Sequence, residues 1–582
     1  MHKNKNKCQL MLIERRSYMS EERGTGALQK TKMSTLGVVA LIYSFVCAGA
    51  FGIEEAISAS GPGLTLVMLI IFPLIWSFPL CEMVGELGSI LPNEGGVYAW
   101  GRAAFGEFWG WQVGWWSGLT TWICQAQYTA LIAGYAAKII ALDPTQEFMI
   151  KVAVVVIFTI VNLIGLTSLE RLETVLNILV FAAFALVTIV GFMNWNYNPV
   201  TPFYNPDEGM FSSIGGGIAI IIWMYCGYEC MSNMAEELED PQIIPRAMRI
   251  SQPLVALTYI LPTLAALAAI GQWSSWSTDQ TAGYVGYADV LIQYVGGWAG
   301  TLFVIIAIIS NMGMFCSYIA HGSRAFFVMA DDDMFPKFLC KVDKRGIPTV
   351  SIIALAIFTI ICCQFDFAAL VMASTPIQLY LYLLMVACVL KLRKMYPVEG
   401  RKKLGLTVMP GGNAGLIGLS ACVIAICIFA IYANGTDYFI TGYIVLAIGL
   451  IAYVAFKKLY KGDFKKDPVI YPLSQHSGLG VGDMIDIGMY ILLTGIMSLV
   501  GYVFLYFYEG EWGPEYYLEE YGTGLFSSFS EMMMLILMLG IVLTVLGAVV
   551  YAYGKKKEGA AVKELAAKRK LILDEEIREL HA

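Results

Sequence analysis

Charge is scarce in this chain. Only 14% of its 582 residues are Asp, Glu, Lys or Arg, against about 25% in an ordinary soluble domain. Long polar stretches are nearly absent, which leaves little material for a large soluble domain. Histidine is scarcer still, with four residues. The thirteen cysteines are scattered through apolar segments without metal-ligand or disulfide-framework spacing, so they read as small buried hydrophobes and no metal site is expected. No nucleophile–base set, metal cluster or phosphate-binding loop is visible, which argues against an enzyme, and nothing points to nucleic acid. Residues 1–33 are polar rather than apolar, so no cleavable signal peptide is expected.

What is present is apolar length. Hydrophobic residues make up 58% of the chain, and a membrane span needs about 20 of them in a row. The pattern predicts an all-α integral membrane protein of about fourteen spans, at 34–59, 63–90, 108–137, 149–167, 172–194, 212–236, 251–271, 294–322, 349–365, 367–390, 413–432, 437–456, 484–508 and 532–553. Lys and Arg test that count. All but Lys138 and Lys151 of the 38 basic residues fall in tails or loops on one side. The positive-inside rule makes that side cytoplasmic and places both termini there. Acidic residues gather on the other side, as in Glu509, Glu511, Glu515, Glu519 and Glu520, and read as a solvated loop.

The chain divides into a cytoplasmic tail (1–33), a first five-helix half (34–194) and a second (212–390). Then come two spans (413–456), two more (484–553) and a cytoplasmic tail (554–582) that reads as an amphipathic helix. The first span of each half carries a weak point at membrane depth. One reads Cys47-Ala48-Gly49-Ala50-Phe51-Gly52-Ile53-Glu54-Glu55, the other Trp223-Met224-Tyr225-Cys226-Gly227-Tyr228-Glu229. Glycine costs about 1 kcal/mol against alanine inside a helix, and a carboxylate at membrane depth costs several. Helix breaks at corresponding places in two halves point to a transporter binding site. Glycine for close helix packing is the plainer alternative.

Four segments resemble the amino acid–polyamine–organocation (APC) superfamily. They are the first break, Glu86-Leu87-Gly88-Ser89-Ile90-Leu91-Pro92-Asn93-Glu94-Gly95-Gly96 with Ala104-Phe105-Gly106, Tyr228-Glu229 leading into Ala235-Glu236-Glu237-Leu238-Glu239-Asp240-Pro241, and Ser323-Arg324-Ala325 leading to Gly346-Ile347-Pro348. The resemblance covers roughly residues 34–390. It implies two inverted five-helix repeats, like those of leucine transporters, around a central site worked by alternating access, with four further helices behind. The first and sixth spans look most like the polyamine-uptake branch, whose first break resembles Gly-Gly-Pro-Phe-Gly-Val-Glu; Ala50 departs from it where that branch often has proline.

A helix broken at midplane exposes N–H groups with partial positive charge and C=O groups with partial negative charge. An amino acid uses both. The expected substrate site is therefore Ala48, Gly49, Ala50, Phe51, Gly52 and Glu54 with Trp223, Tyr225, Gly227, Tyr228 and Glu229. Glu54 and Glu229 would add negative charge for a cationic amine or polyamine; capping of the half-helix is the alternative for Glu54 and Glu55. The aromatic residues could stack on ammonium groups. No cofactor is expected, and proton is favoured over sodium as the coupling ion, with Glu54, Glu82, Glu86, Glu229 and, lower, His321 as titratable candidates; Ser310, Asn311 and Ser317 keep sodium open. Some family members carry a lysine in the fifth span, where this chain has Val180. Arg102 and Arg324 are expected to meet Glu236, Glu237 or Glu239 in an inner gate. The partners are a small solute and the lipid bilayer. The competing readings are a neutral amino acid permease or exchanger and a non-transporting nutrient sensor on the same fold. Oligomeric state cannot be read from the sequence.

Overall fold

The computed structural model describes residues 33–47, 49–92, 95–164, 169–238, 240, 242–279, 283–460, 479, 481–521 and 528–557. Residues 1–32 and 558–582, which make up nearly all of the two tails, lie outside the described residues, as do Ala48, Asn93, Glu94, Glu239 and Pro241 and the side chains of Glu236 and Glu237. The expected tail helix therefore lies outside them as well.

The first expected span is two helices. α1 (Thr35–Val46) starts on Ser34, whose hydroxyl accepts the Gly37 N–H at 3.0 Å, and α2 (Ile53–Ser60) starts at Gly52. Pro62 opens α3 (Pro62–Ile90), which loosens into a π-turn at Pro73–Ser77 because Pro73 has no N–H to give to the ladder. There follow α4 (Val97–Phe105), α5 (Glu107–Ala137), α6 (Pro144–Ile164), α7 (Leu169–Met193) and α8 (Met210–Met224). The second half continues with α9 (Ile243–Ile270), α10 (Tyr287–Tyr294), α11 (Gly297–Asp331), α12 (Thr349–Cys362) and α13 (Phe367–Met395). The remaining long helices are α14 (Gly412–Ala433), α15 (Thr436–Tyr460), α16 (Val481–Tyr508) and α17 (Phe529–Lys556), with short helices at Val398–Lys403 and Gly513–Tyr521.

Among the described residues, eleven helices are long and apolar enough to cross a membrane. The other three expected spans are the broken α1–α2 pair, the short α12 and α5. α5 is long but not apolar enough to be counted with the eleven, for a physical reason. It buries Gln112, Gln125, Gln127, Thr120, Thr121 and Thr129, and polar groups in a span face the protein interior rather than lipid. The sixth expected span also differs, because α8 ends at Met224 and Tyr228–Glu237 continues as a 3₁₀ helix.

α16 and α17 lie against each other along their length. A Cβ at Gly488 or Gly495 would strike the α17 backbone, one at Gly547 would strike α16, and one at Gly540 would come within 2.8 Å of Leu499. This close approach needs small residues. The pair is anchored to the core at one end by Lys457, which is ion-paired to Glu107 and 3.8 Å from Asp483; Tyr453 donates to Asp483 at 2.5 Å. At the other end Glu509 accepts the Thr436 N–H at 2.6 Å and the Thr436 hydroxyl.

Glu509 departs from the solvated acidic loop expected of it. It is 1% exposed, whereas Glu511 and Glu515 are exposed. Burial pushes its carboxyl up to about 7 despite the Thr436 bonds. A group whose folded-state pKa lies above its ordinary value costs stability as it ionises. In thermal-shift measurements in detergent, the melting temperature should fall as pH rises from about 4.5 to about 7, and Glu509→Gln should flatten that slope relative to the parent.

Candidate functional site

Both breaks are built on positive-φ glycines. In the first, Gly49 (φ +117°) and Gly52 (φ +101°) turn the chain between α1 and α2; in the second, Gly227 (φ +102°) follows α8. A Cβ on Gly227 would sit 2.6 Å from the Phe45 carbonyl oxygen, so the two breaks touch through bare backbone. Helix ends leave carbonyls without partners, and here tyrosines supply them. The Tyr259 hydroxyl lies 2.9 Å from both the Val46 and the Met224 carbonyls, one from each broken helix. Tyr318 donates to the Phe45 carbonyl at 2.9 Å, and Tyr225 to the Leu69 carbonyl at 2.8 Å.

A cavity of about 30 Å³ lies beside the breaks, among α1, α5, α8, α11 and α13 and the start of the 3₁₀ segment. Of the residues expected at the substrate site, Trp223, Gly227 and Glu229 line it. Ser117, Thr120, Thr121, Cys124, Tyr128, Tyr318, His321 and Gln378 complete much of the wall. Glu229 is buried, and the Tyr382 hydroxyl stands 3.0 Å from each of its oxygens, itself receiving a bond from Gln378 at 3.0 Å. Trp223 donates to Gln127 at 2.6 Å, and Gln127 donates to Ser374 at 3.0 Å, which ties the end of α8 to α5 and α13.

The other expected site residues stand around this cavity rather than in its lining. Phe51 packs on Tyr135, Phe184 and Phe303 with ring centroids 5.2, 5.0 and 6.1 Å away. Ala50 and Tyr228 are fully buried, and Gly49 and Gly52 abut Phe184 and Phe367. Ala48 lies outside the described residues. Glu54 accepts the Gly52 N–H at 2.8 Å and a bond from Tyr135. It thus occupies the N–H pole of the first break, as its capping alternative anticipates. Glu55 accepts from Ser277 at 3.0 Å and from the Thr278 N–H and hydroxyl at 2.7 and 2.6 Å, fastening α2 to the loop before α10.

The structure does not bring Glu82 or Glu86 to the breaks. Arg249 holds Glu82 with two bonds of 2.7 and 2.8 Å. Glu86 is buried between Arg393 and Arg401 and accepts the Met409 N–H at 2.9 Å. Their partners are fixed cations rather than hydroxyls or a mobile solute. Arg102 is ion-paired to Asp332, which also accepts from Tyr98 at 2.9 Å; Arg324 donates to the Ala320 carbonyl at 2.6 Å. Glu237, the third residue expected at the inner gate, has its side chain outside the described residues. His321 lines the cavity, with its ring 5.8 Å from that of Phe45. Asn311 donates to the Ala307 carbonyl within its own helix at 2.9 Å.

Sequence reasoning missed Tyr259, Tyr318, Tyr382, Gln378 and Gln127. Only the density of polar residues on α5 signalled any of them.

The family model for amino acid permeases matches residues 33–456, which leaves α16 and α17 outside the match. A protein of Arabidopsis thaliana named as a probable polyamine transporter is 29% identical over 377 residues, covering 64% of this chain and 74% of the relative. A polyamine transporter of the same plant is 28% identical over 382 residues, covering 64% and 75%. The solved structure of MhsT in complex with L-phenylalanine superposes with a TM-score of 0.52 at 13% identity, over 70% of this chain and all of that one. That likeness speaks for the fold, the leucine-transporter-like core of two five-helix repeats.

Gly227→Ala should be damaging, since a left-handed backbone costs an L-residue about 1–2 kcal/mol and a core clash about 1–3 more. The melting temperature should drop by several degrees and transport should be lost. Gly418→Ala, in α14 with nothing within 4 Å of the added carbon, should leave both intact.

Proposed function

This chain belongs to the amino acid permease family, and we propose that it is a secondary active transporter carrying cationic amines or polyamines across the membrane by alternating access, coupled to protons. The observation that carries the substrate class is Glu229. It is a buried carboxylate in the cavity wall, held by neutral groups such as the Tyr382 hydroxyl rather than by a fixed cation. One Tyr382 proton shared between two oxygens leaves acceptor sites for an ammonium group. A charge-assisted bond of that kind in water-poor surroundings is about twice as strong as a neutral one.

Glu54 supports the same reading from the other pole. An amino acid places its carboxylate on the N–H groups of a broken helix, and in this chain Glu54 already accepts one of them, from Gly52. A substrate without a carboxylate does not compete for that place. The names of the plant relatives agree with an amine lacking a carboxylate. Trp223, Tyr128 and Tyr318 offer aromatic faces to the ammonium and methylene groups of such a solute.

For coupling, Glu229 and Glu54 are the proton carriers in this proposal, because tyrosine hydroxyls and a backbone N–H, rather than fixed cations, hold them. Glu82 and Glu86 leave the set for the opposite reason. Both termini are cytoplasmic on the distribution of Lys and Arg. The paired Arg102 and Asp332 then belong to the inner side, and the Glu55–Thr278 contact to the outer side.

In proteoliposomes, Glu229→Gln should cut uptake of putrescine- or arginine-like solutes at least about tenfold, the equivalent of one lost charge-assisted bond, and should spare binding of neutral amino acids. Neutral amino acids competing best, with Glu229→Gln silent, would replace this reading by a neutral permease. Binding without flux would replace it by a sensor.

A further inference from the structure

One face of α5 carries a row of polar side chains that the mechanism above does not use. Gln112, Trp116 and Thr120 recur every four residues, and the α13 residue Tyr380 packs on Trp116 with ring centroids 6.1 Å apart. All four are at least nine-tenths buried. The Gln112 Oε1 and Nε2, the Trp116 Nε1, the Thr120 Oγ1 and the Tyr380 Oη have no hydrogen-bond partner among the described residues. Thr120 is unusual among the threonines of these helices. Thr121, Thr263, Thr359 and Thr375 donate to the preceding turn of their own helix at 2.6–2.9 Å. The Thr120 hydroxyl does not, and its side chain lines the central cavity.

Five orphaned atoms along one seam are costly unless something satisfies them. Their spacing indicates what would. Four residues of helix rise about 6 Å, and two hydrogen bonds of about 2.8 Å meeting at one oxygen span nearly the same distance. We infer that a file of ordered waters runs along this face of α5, from Thr120 at the cavity past Trp116 and Tyr380 to Gln112, and serves as the inner leg of the proton route. The proton role rests on the proton-symport reading above; the hydration does not.

Glu229 and His321 stand at the cavity end of the file, in the same wall as Thr120. Glu107, which starts α5, stands beyond the Gln112 end with Lys457 and Asp483. A proton taken up by the water beside Thr120 is matched by one released from the water beside Gln112. Each O–H bond that forms on one oxygen breaks on the next, and no other bond changes.

Radiolytic hydroxyl labelling of the purified parent protein reads the hydration directly. Trp116 and Tyr380 should label faster than Trp111, an equally buried neighbour whose indole N–H is bonded to the Met334 carbonyl at 3.0 Å. Equal labelling would overturn the file. Transport in proteoliposomes then tests the route with Gln112→Leu and Tyr380→Phe, which keep shape and remove polar atoms. Both variants should lose substrate-driven proton entry while keeping substrate exchange, a mode without net proton movement. Unchanged proton entry in the folded variants would overturn the route. If the parent itself moves no protons with substrate, the symport reading falls, and the labelling still decides the hydration.

Discussion

A helix that stops inside an apolar interior leaves peptide groups that no water can satisfy, and the rest of this structure depends on how that is met. Two helices stop here, α1 at Val46 and α8 at Met224. The Tyr259 hydroxyl lies between the last carbonyls of both, and Tyr318 takes the carbonyl one residue earlier in α1. Each unsatisfied group would cost several kcal/mol in such surroundings. The breaks are therefore held by α9 and α11, the helices that pack across them, and a shift of either broken helix must also disturb the tyrosine that serves it.

The buried glutamates show how surroundings sort one residue type into different roles. Glu86 faces two guanidinium groups and Glu82 one, and both act as bolts between helices. Glu54 and Glu55 take backbone N–H groups and hydroxyls, one closing the first break and the other tying α2 to the loop before α10. Glu229 takes the Tyr382 phenol and lines the cavity, with no fixed cation beside it among the described residues. Of these five, Glu229 is the one that lines the cavity.

The all-helical class, most of the helices and the two breaks were legible in the sequence because each has a local cause. Apolar length makes a span, and Gly49, Gly52 and Gly227 mark turns that other residues resist. The roles of Glu82 and Glu86 were not legible, since their partners lie far along the chain, at Arg249, Arg393 and Arg401. Sequence separation also hid Tyr259, Tyr382 and Gln127, whose contacts cross between helices. Glu509 read as solvated because its neighbours are acidic, while the fold turns it onto Thr436. The inner half of the sixth span carried a helical pattern yet winds as 3₁₀, because tertiary contact overrides weak local preference.

The anchor of the last helical pair also bears on how the protein is made. Lys457 lies near the end of α15 and is fully buried between Glu107, synthesised long before it, and Asp483, synthesised after. While α15 stands alone in lipid, its long side chain can reach the interface. Once α5 is alongside, the ammonium can turn inward onto Glu107, and α16 then arrives carrying the second carboxylate. Chain order and ion pairing thus run in the same direction, with the carboxylate of α5 first, the ammonium of α15 second and the carboxylate of α16 last.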